Sequence, residues 1–177
     1  MWTFIKKWLA SVSDGLTRYA LQEILFNSFN NFIIAGAGLV TSTTTVKVGA
    51  SPMIVMINGQ NVIVAASASF PALTGLNITT GQTGVALFGV DALGTLYTWI
   101  SPVIVGSATN LQGLVWPTPT DTTVSPSDLL VVGGMILQDV SAGAFTGGTT
   151  SLATGGLTVT YFNLGPDGFN VYPVTYR

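Results

Sequence analysis

Apolar residues recur along this chain with two different periods, and the change falls near residue 40. At about 100° per residue, Trp2, Phe4, Ile5, Trp8, Leu9 and Val12 share one half of a helical wheel. Thr3, Lys6, Lys7 and Ser11 occupy the other half. Ser13-Asp14-Gly15 then reads as a break followed by a fresh helix start, because Ser and Asp supply the acceptor that the first free amides need. From Leu16 to about Phe29 the apolar residues Leu16, Tyr19, Ala20, Leu21, Ile24, Leu25 and Phe26 surround most of the wheel. A helix apolar nearly all round is buried on several sides. Residues 1–40 are therefore expected to form a helical arm, with its second half packed in a bundle or against another subunit.

Beyond that point the alternation is strand-like. Met53 to Ile57 and Gln60 to Ala65 are β-prone runs joined by Asn58-Gly59, a dipeptide that accepts the two positive φ angles of a type I′ hairpin. Gly84 to Val90 and Leu96 to Ile100 flank Asp91-Ala92-Leu93-Gly94-Thr95, which predicts a second hairpin. Leu129 to Val140 is a further run, notched by Gly133-Gly134, where a bulge or a close backbone approach is expected. Leu157 to Leu164 alternates, with Leu157, Val159 and Tyr161 on one side and Thr158, Thr160 and Phe162 on the other. Val171 to Tyr176 contains Pro173, which suits an edge or terminal strand. Turn-rich loops span Leu111 to Thr123 and Ser141 to Gly156. Many short strands with frequent turns predict a mainly β body over residues 41–177, an antiparallel sandwich or barrel.

Composition narrows the function. Only 7% of the residues are charged, against roughly 25% in an average soluble domain. A monomer so poor in charge has little to keep it soluble, so the chain is expected to hide surface against copies of itself or against partners. A net charge of −2, with five Lys and Arg in all, argues against binding nucleic acid. The uncharged run from Ile24 to Val46 is long enough to cross a bilayer but is broken by Asn27, Ser28, Asn30, Asn31 and the Thr41–Thr45 cluster. Its purely apolar part, Phe32 to Val40, is far below the roughly 20 residues a spanning helix needs. The chain is thus expected to be soluble.

Candidate chemistry is sparse. Cysteine and histidine are both absent, which removes disulfides, thiolate sites and the commonest general base and metal ligand. The seven carboxylates stand singly, with Asp14 and Glu23 in the arm and Asp91, Asp121, Asp128, Asp139 and Asp167 beyond it. None has calcium-loop spacing. Gly36-Ala37-Gly38 and the Gly143–Gly156 segment lack the pattern and the Lys of a phosphate loop. No catalytic, cofactor-binding or metal-binding residue is assigned, and no enzyme activity is expected.

The body resembles the auxiliary, or decoration, proteins of tailed-bacteriophage heads. The resemblance rests on the Asn58-Gly59 hairpin and on Val85-Ala86-Leu87-Phe88-Gly89-Val90-Asp91 with the turn and strand after it. It continues through Leu130-Val131-Val132-Gly133-Gly134-Met135-Ile136-Leu137, Phe145 to Leu152 and Leu157 to Phe162, and covers roughly residues 45 to 164. It implies a capsid cement subunit, a homo-oligomer and commonly a trimer, on the outer surface of the virion. Its partner would be the major capsid protein or another virion protein, held by avidity among tethered copies.

Outside that resemblance, the arm supplies the expected contact residues. Trp2, Ile5, Trp8, Leu9 and Val12 form the docking face toward a partner, and Leu16, Tyr19, Ile24 and Leu25 the oligomer packing. Two alternatives stay open. One is a fibre, tail or baseplate component in which Trp116, Tyr97 and Trp99 contact a receptor glycan, although packing in the β core is the favoured role of those rings. The other is a membrane-associated coat subunit, motivated by Trp2–Phe29 and Phe32–Val40 and disfavoured because two lysines attract a bilayer only weakly.

Overall fold

The computed structural model describes residues 31–36, 38–106, 116–119, 124, 128–141, 143–165 and 168–174. Thirteen strands run through them. They are β1 (Phe32–Ala35), β2 (Leu39–Thr41), β3 (Val46–Val48), β4 (Met53–Ile57), β5 (Gln60–Val64), β6 (Asn77–Thr79) and β7 (Gln82–Asp91). The remainder are β8 (Leu96–Ile100), β9 (Ile104–Val105), β10 (Leu129–Asp139), β11 (Ala144–Thr146), β12 (Leu157–Gly165) and β13 (Gly168–Val174). The fold is mainly β, and every sheet is antiparallel.

One large sheet has the order β13-β12-β10-β7-β8, with β9 pairing β7 beyond the end of β8. A three-stranded sheet, β1-β4-β5, and two strand pairs, β2-β3 and β11-β6, complete the fold. None of these sheets closes on itself, so the barrel alternative does not hold. β13 and β8 end the large sheet without meeting each other, and closure would need that pairing.

The smaller sheets pack against one face of the large one. That face presents Ala86, Phe88 and Val90 of β7, Met135 and Leu137 of β10, and Val159 and Tyr161 of β12, all buried. Val46, Val55, Ile57, Phe70, Leu73 and Phe145 meet them in the same core. Phe70 and Phe88 have ring centroids 5.0 Å apart, tilted by 55°. β7 is buried on both faces, which is why its sequence reads as a nearly continuous apolar run rather than an alternation.

Both expected hairpins form. β4 and β5 pair in unbroken register from Met53↔Val64 to Ile57↔Gln60. Asn58 and Gly59 at the turn have φ of 52° and 75°, both in the left-handed region that the I′ geometry requires. β7 and β8 pair across the Asp91–Thr95 loop. The register of β10 on β7 shifts between Val131 and Gly133, so the expected bulge is present. β13 ends its sheet with Pro173 opposite Thr160, as expected of a strand that needs no donor on one side.

The start of the chain differs from expectation. Residues 1–30, with Trp2, Ile5, Trp8, Leu9, Val12, Leu16, Tyr19, Ile24 and Leu25, lie outside the described residues. β1 and the first two residues of β2 fall inside the stretch assigned to a helical arm, and the β body reaches back to Phe32. Ile33 and Leu39 are drawn into the main core. β2 is also tied to β12, with the Leu39 amide donating to Asn163 Oδ1 at 3.0 Å and Thr41 Oγ1 lying 2.7 Å from Tyr161 Oη. Burial in a sheet decides the conformation of such a run, which its uninterrupted apolar character leaves ambiguous.

Candidate functional site

The outer face of the large sheet carries a second apolar cluster, apart from the main core. Leu87 of β7, Trp99 of β8 and Phe162 of β12 are buried there. Tyr97, Leu129, Val131 and Ile136 pack around them.

Two glycines seat the rings. Gly89 stands opposite Tyr97, two residue pairs from Leu87↔Trp99. A Cβ at Gly89 would lie 2.5 Å from two atoms of the Trp99 indole. Gly134 is paired with Leu87 on one side and Phe162 on the other. A Cβ there would lie 2.2 Å from Phe162 Cζ. Each ring therefore lies across a neighbouring strand at a position where any side chain would displace it. Trp116 meets Phe162 edge-on, with centroids 5.4 Å apart at 78°. Tyr97 stacks on Trp99 at 5.7 Å and 5°.

A buried carboxylate fixes one end of this cluster. Asp91 is 3% exposed and closes the β7–β8 turn. Its Oδ1 accepts the amides of Leu93 and Thr95, both at 2.8 Å, and its Oδ2 accepts the Tyr97 hydroxyl at 3.0 Å. Burial alone would raise the Asp91 pKa. The Thr95 amide, the Tyr97 hydroxyl, the Leu93 amide and the Thr95 hydroxyl outweigh it and hold the carboxyl below its ordinary value. The order of support runs from Asp91 to the Tyr97 phenol, then to the stacked Trp99, then to its seat on Gly89.

On this face the Asp91 carboxylate and the Tyr97 hydroxyl are engaged with each other. Of the other carboxylates within the described residues, Asp128 accepts from Asn58 Nδ2 at the β4–β5 turn, and Asp139 is fully buried at the end of β10. Asp14, Glu23, Asp121 and Asp167 lie outside the described residues. Among the described residues, no three His, Cys, Asp or Glu side chains gather as a metal would require, and no helix is long and apolar enough to cross a membrane. The Gly143–Gly156 loop has a packing role, since a Cβ at Gly147 would fall 1.9 Å from the Leu73 carbonyl oxygen.

Of the aromatic residues singled out for receptor contact, Tyr97, Trp99 and Trp116 do come to one face. Trp99, however, is 9% exposed, and Trp116 at 38% is the most open of the cluster's large apolar side chains. Phe162, Gly89 and Gly134 belong to the same cluster and were not anticipated as part of it. Their alternation and spacing mark strands, but nothing local marks which strands touch.

The chain was compared with known family models, with curated proteins and with solved structures, and it matches none of them.

Proposed function

We propose that the chain is a structural assembly subunit, a decoration or cement protein of a tailed-phage head that binds and stabilises the shell as an oligomer. In this reading the body is an open two-layer sandwich, the virion surface is its location and the trimer its working state. The N-terminal arm provides Trp2, Ile5, Trp8, Leu9 and Val12 for docking on the major capsid protein, and Leu16, Tyr19, Ile24 and Leu25 for contacts between copies.

One observation carries the reading. Several polar groups close the fold's own turns and inter-sheet ties, while large apolar side chains remain at the surface on several strands and turns. Ile34, Val40, Ile63, Leu93, Val105 and Val140 are all exposed, in a chain whose composition leaves little charge to offset them. Such a surface suits a protein that works against neighbours. Its rigid turns, held by Asp91 and by the Asn58–Asp128 contact, suit a part that bears load.

Labelled antibody against the chain, viewed by electron microscopy on purified virions, tests this. Label spread over the whole head supports the cement role. Label confined to a tail or vertex supports the fibre reading, and virions without label remove both.

The fibre reading has its own observation, the half-open Trp116 edge beside Phe162 on the Tyr97–Trp99 face. Glycan binding that is lost in Trp116→Ala with folding intact would favour it.

A further inference from the structure

On the three-stranded sheet the inner positions behave as expected. Ile33, Val55 and Val62 align across the strands and are buried in the core. The outer positions are the anomaly. Met56 stands beside Phe32 on one side and Asn61 on the other, and Ile54 beside Ile63. A solvated antiparallel face ordinarily carries polar residues at these places. Here β4 turns Ile54 and Met56 outward, and Ile63 is 67% exposed.

The same strand that carries Ile63 also ends its sheet. β1, at the other end, runs beside β12. Among the described residues, no strand pairs with the outer edge of β5. Natural edges are blunted by Lys, Pro, an inward charge or a bulge. Gln60-Asn61-Val62-Ile63-Val64 has none of these and keeps unbroken register with β4.

We propose that a second copy of this chain pairs with β5, antiparallel, about a twofold axis through Val62. Electrical neutrality selects a copy over a charged partner. β1, β4 and β5 contain no ionisable side chain, so two copies meet with no like charges opposed and no ion to desolvate, whereas an ionic partner finds no counter-charge. The register follows from the period of two. Centring on Val62 sets Asn61 against Ile63 of the partner subunit and Gln60 against Val64 of the partner subunit. Directly opposed residues share a face, so the outer faces of the two sheets continue into one another, with Ile63 of each copy beside Asn61 of the other. Each chain's three strands become half of a continuous six-stranded sheet, joined isologously. The contact does not depend on the capsid reading. In a trimer it would join one trimer to the next rather than close the ring.

The full-length chain tests this in two ways. Sedimentation equilibrium should show a concentration-dependent association that Ile63→Lys weakens about tenfold or more, with the circular dichroism spectrum unchanged. The chain's lack of cysteine makes the second test clean. Asn61→Cys and Ile63→Cys chains, mixed and oxidised, should form disulfide-linked dimers, because directly opposed strand residues lie about 4.5–5.5 Å apart at Cα, within disulfide reach. Either variant alone should not link, since its own counterpart lies on the longer diagonal. Equal association of wild type and folded Ile63→Lys overturns the proposal. So does a mixture that links no better than the single variants. Should Ile63→Lys fail to fold, the cysteine mixture decides alone.

Discussion

The indole of Trp99 lies across Gly89, two strand positions out of line, so closely that a Cβ at residue 89 would sit 2.5 Å from two ring atoms and 2.9 Å from the Leu130 carbonyl oxygen. The glycine and the tryptophan thus form one packing unit. Gly89→Ala is expected to cost about 1–3 kcal/mol, the usual penalty for overpacking a filled core. Urea unfolding should show a lower midpoint with the slope unchanged. A variant as stable as wild type would mean that the ring can move aside.

Within the same cluster the two tryptophans should behave differently. Trp99 is buried among Leu87, Phe162 and Tyr97, and Trp99→Ala is expected to lose about 3–5 kcal/mol. Trp116 is half-open and meets Phe162 by one edge, so Trp116→Ala should cost about 0.5–1.5 kcal/mol. Thermal unfolding of both variants checks the order, and a reversed order would refute the assigned packing.

The Tyr97 hydroxyl bond to Asp91 predicts a pH dependence. A carboxyl held below its ordinary value contributes stability that is complete above the unfolded value, about 3.9. That contribution is lost as pH falls through the folded value. Tyr97→Phe removes one of the groups that lower it. The variant should be less stable at pH 7 by about 1.5–3 kcal/mol, the range for a hydrogen bond to a charged group. The gap should narrow in acid, once Asp91 is protonated in both proteins. Urea titrations at neutral and acidic pH measure it, and a gap independent of pH would count against this role for Asp91.

At the β4–β5 turn, Asn58 holds φ of 52° and its side chain donates to Asp128 Oδ1, while its amide donates to Asn31 Oδ1 at 2.8 Å. Asn58→Ala keeps the amide bond but loses the side-chain bond and the residue type best suited to that backbone. A loss of about 1–2 kcal/mol is expected from the left-handed conformation alone. Asn58→Gly should recover part of it, because glycine accepts the angle without the side-chain contact. Equal stability of the Ala and Gly variants would place the whole effect in the hydrogen bond.

What the sequence determined by itself is what depends on neighbours along the chain. The Asn58-Gly59 hairpin, the Asp91–Thr95 turn, the two faces of Leu157–Phe162 and the bulge at Gly133 all follow from local backbone preference and a period of two. The scarcity of charge is likewise legible without coordinates. The tertiary structure decided everything that requires knowing which strand lies beside which. Phe32–Ala35 became an edge strand because Ile33 finds Val55 across the sheet, and no local signal separates that run from a helix. Gly89 and Gly134 read as strand-weakening residues until pairing sets Trp99 and Phe162 over them. The exposed Ile63 reads as one more buried β position until β5 is found at the end of its sheet. Alternation says that a strand has two faces, but only packing decides what each face meets.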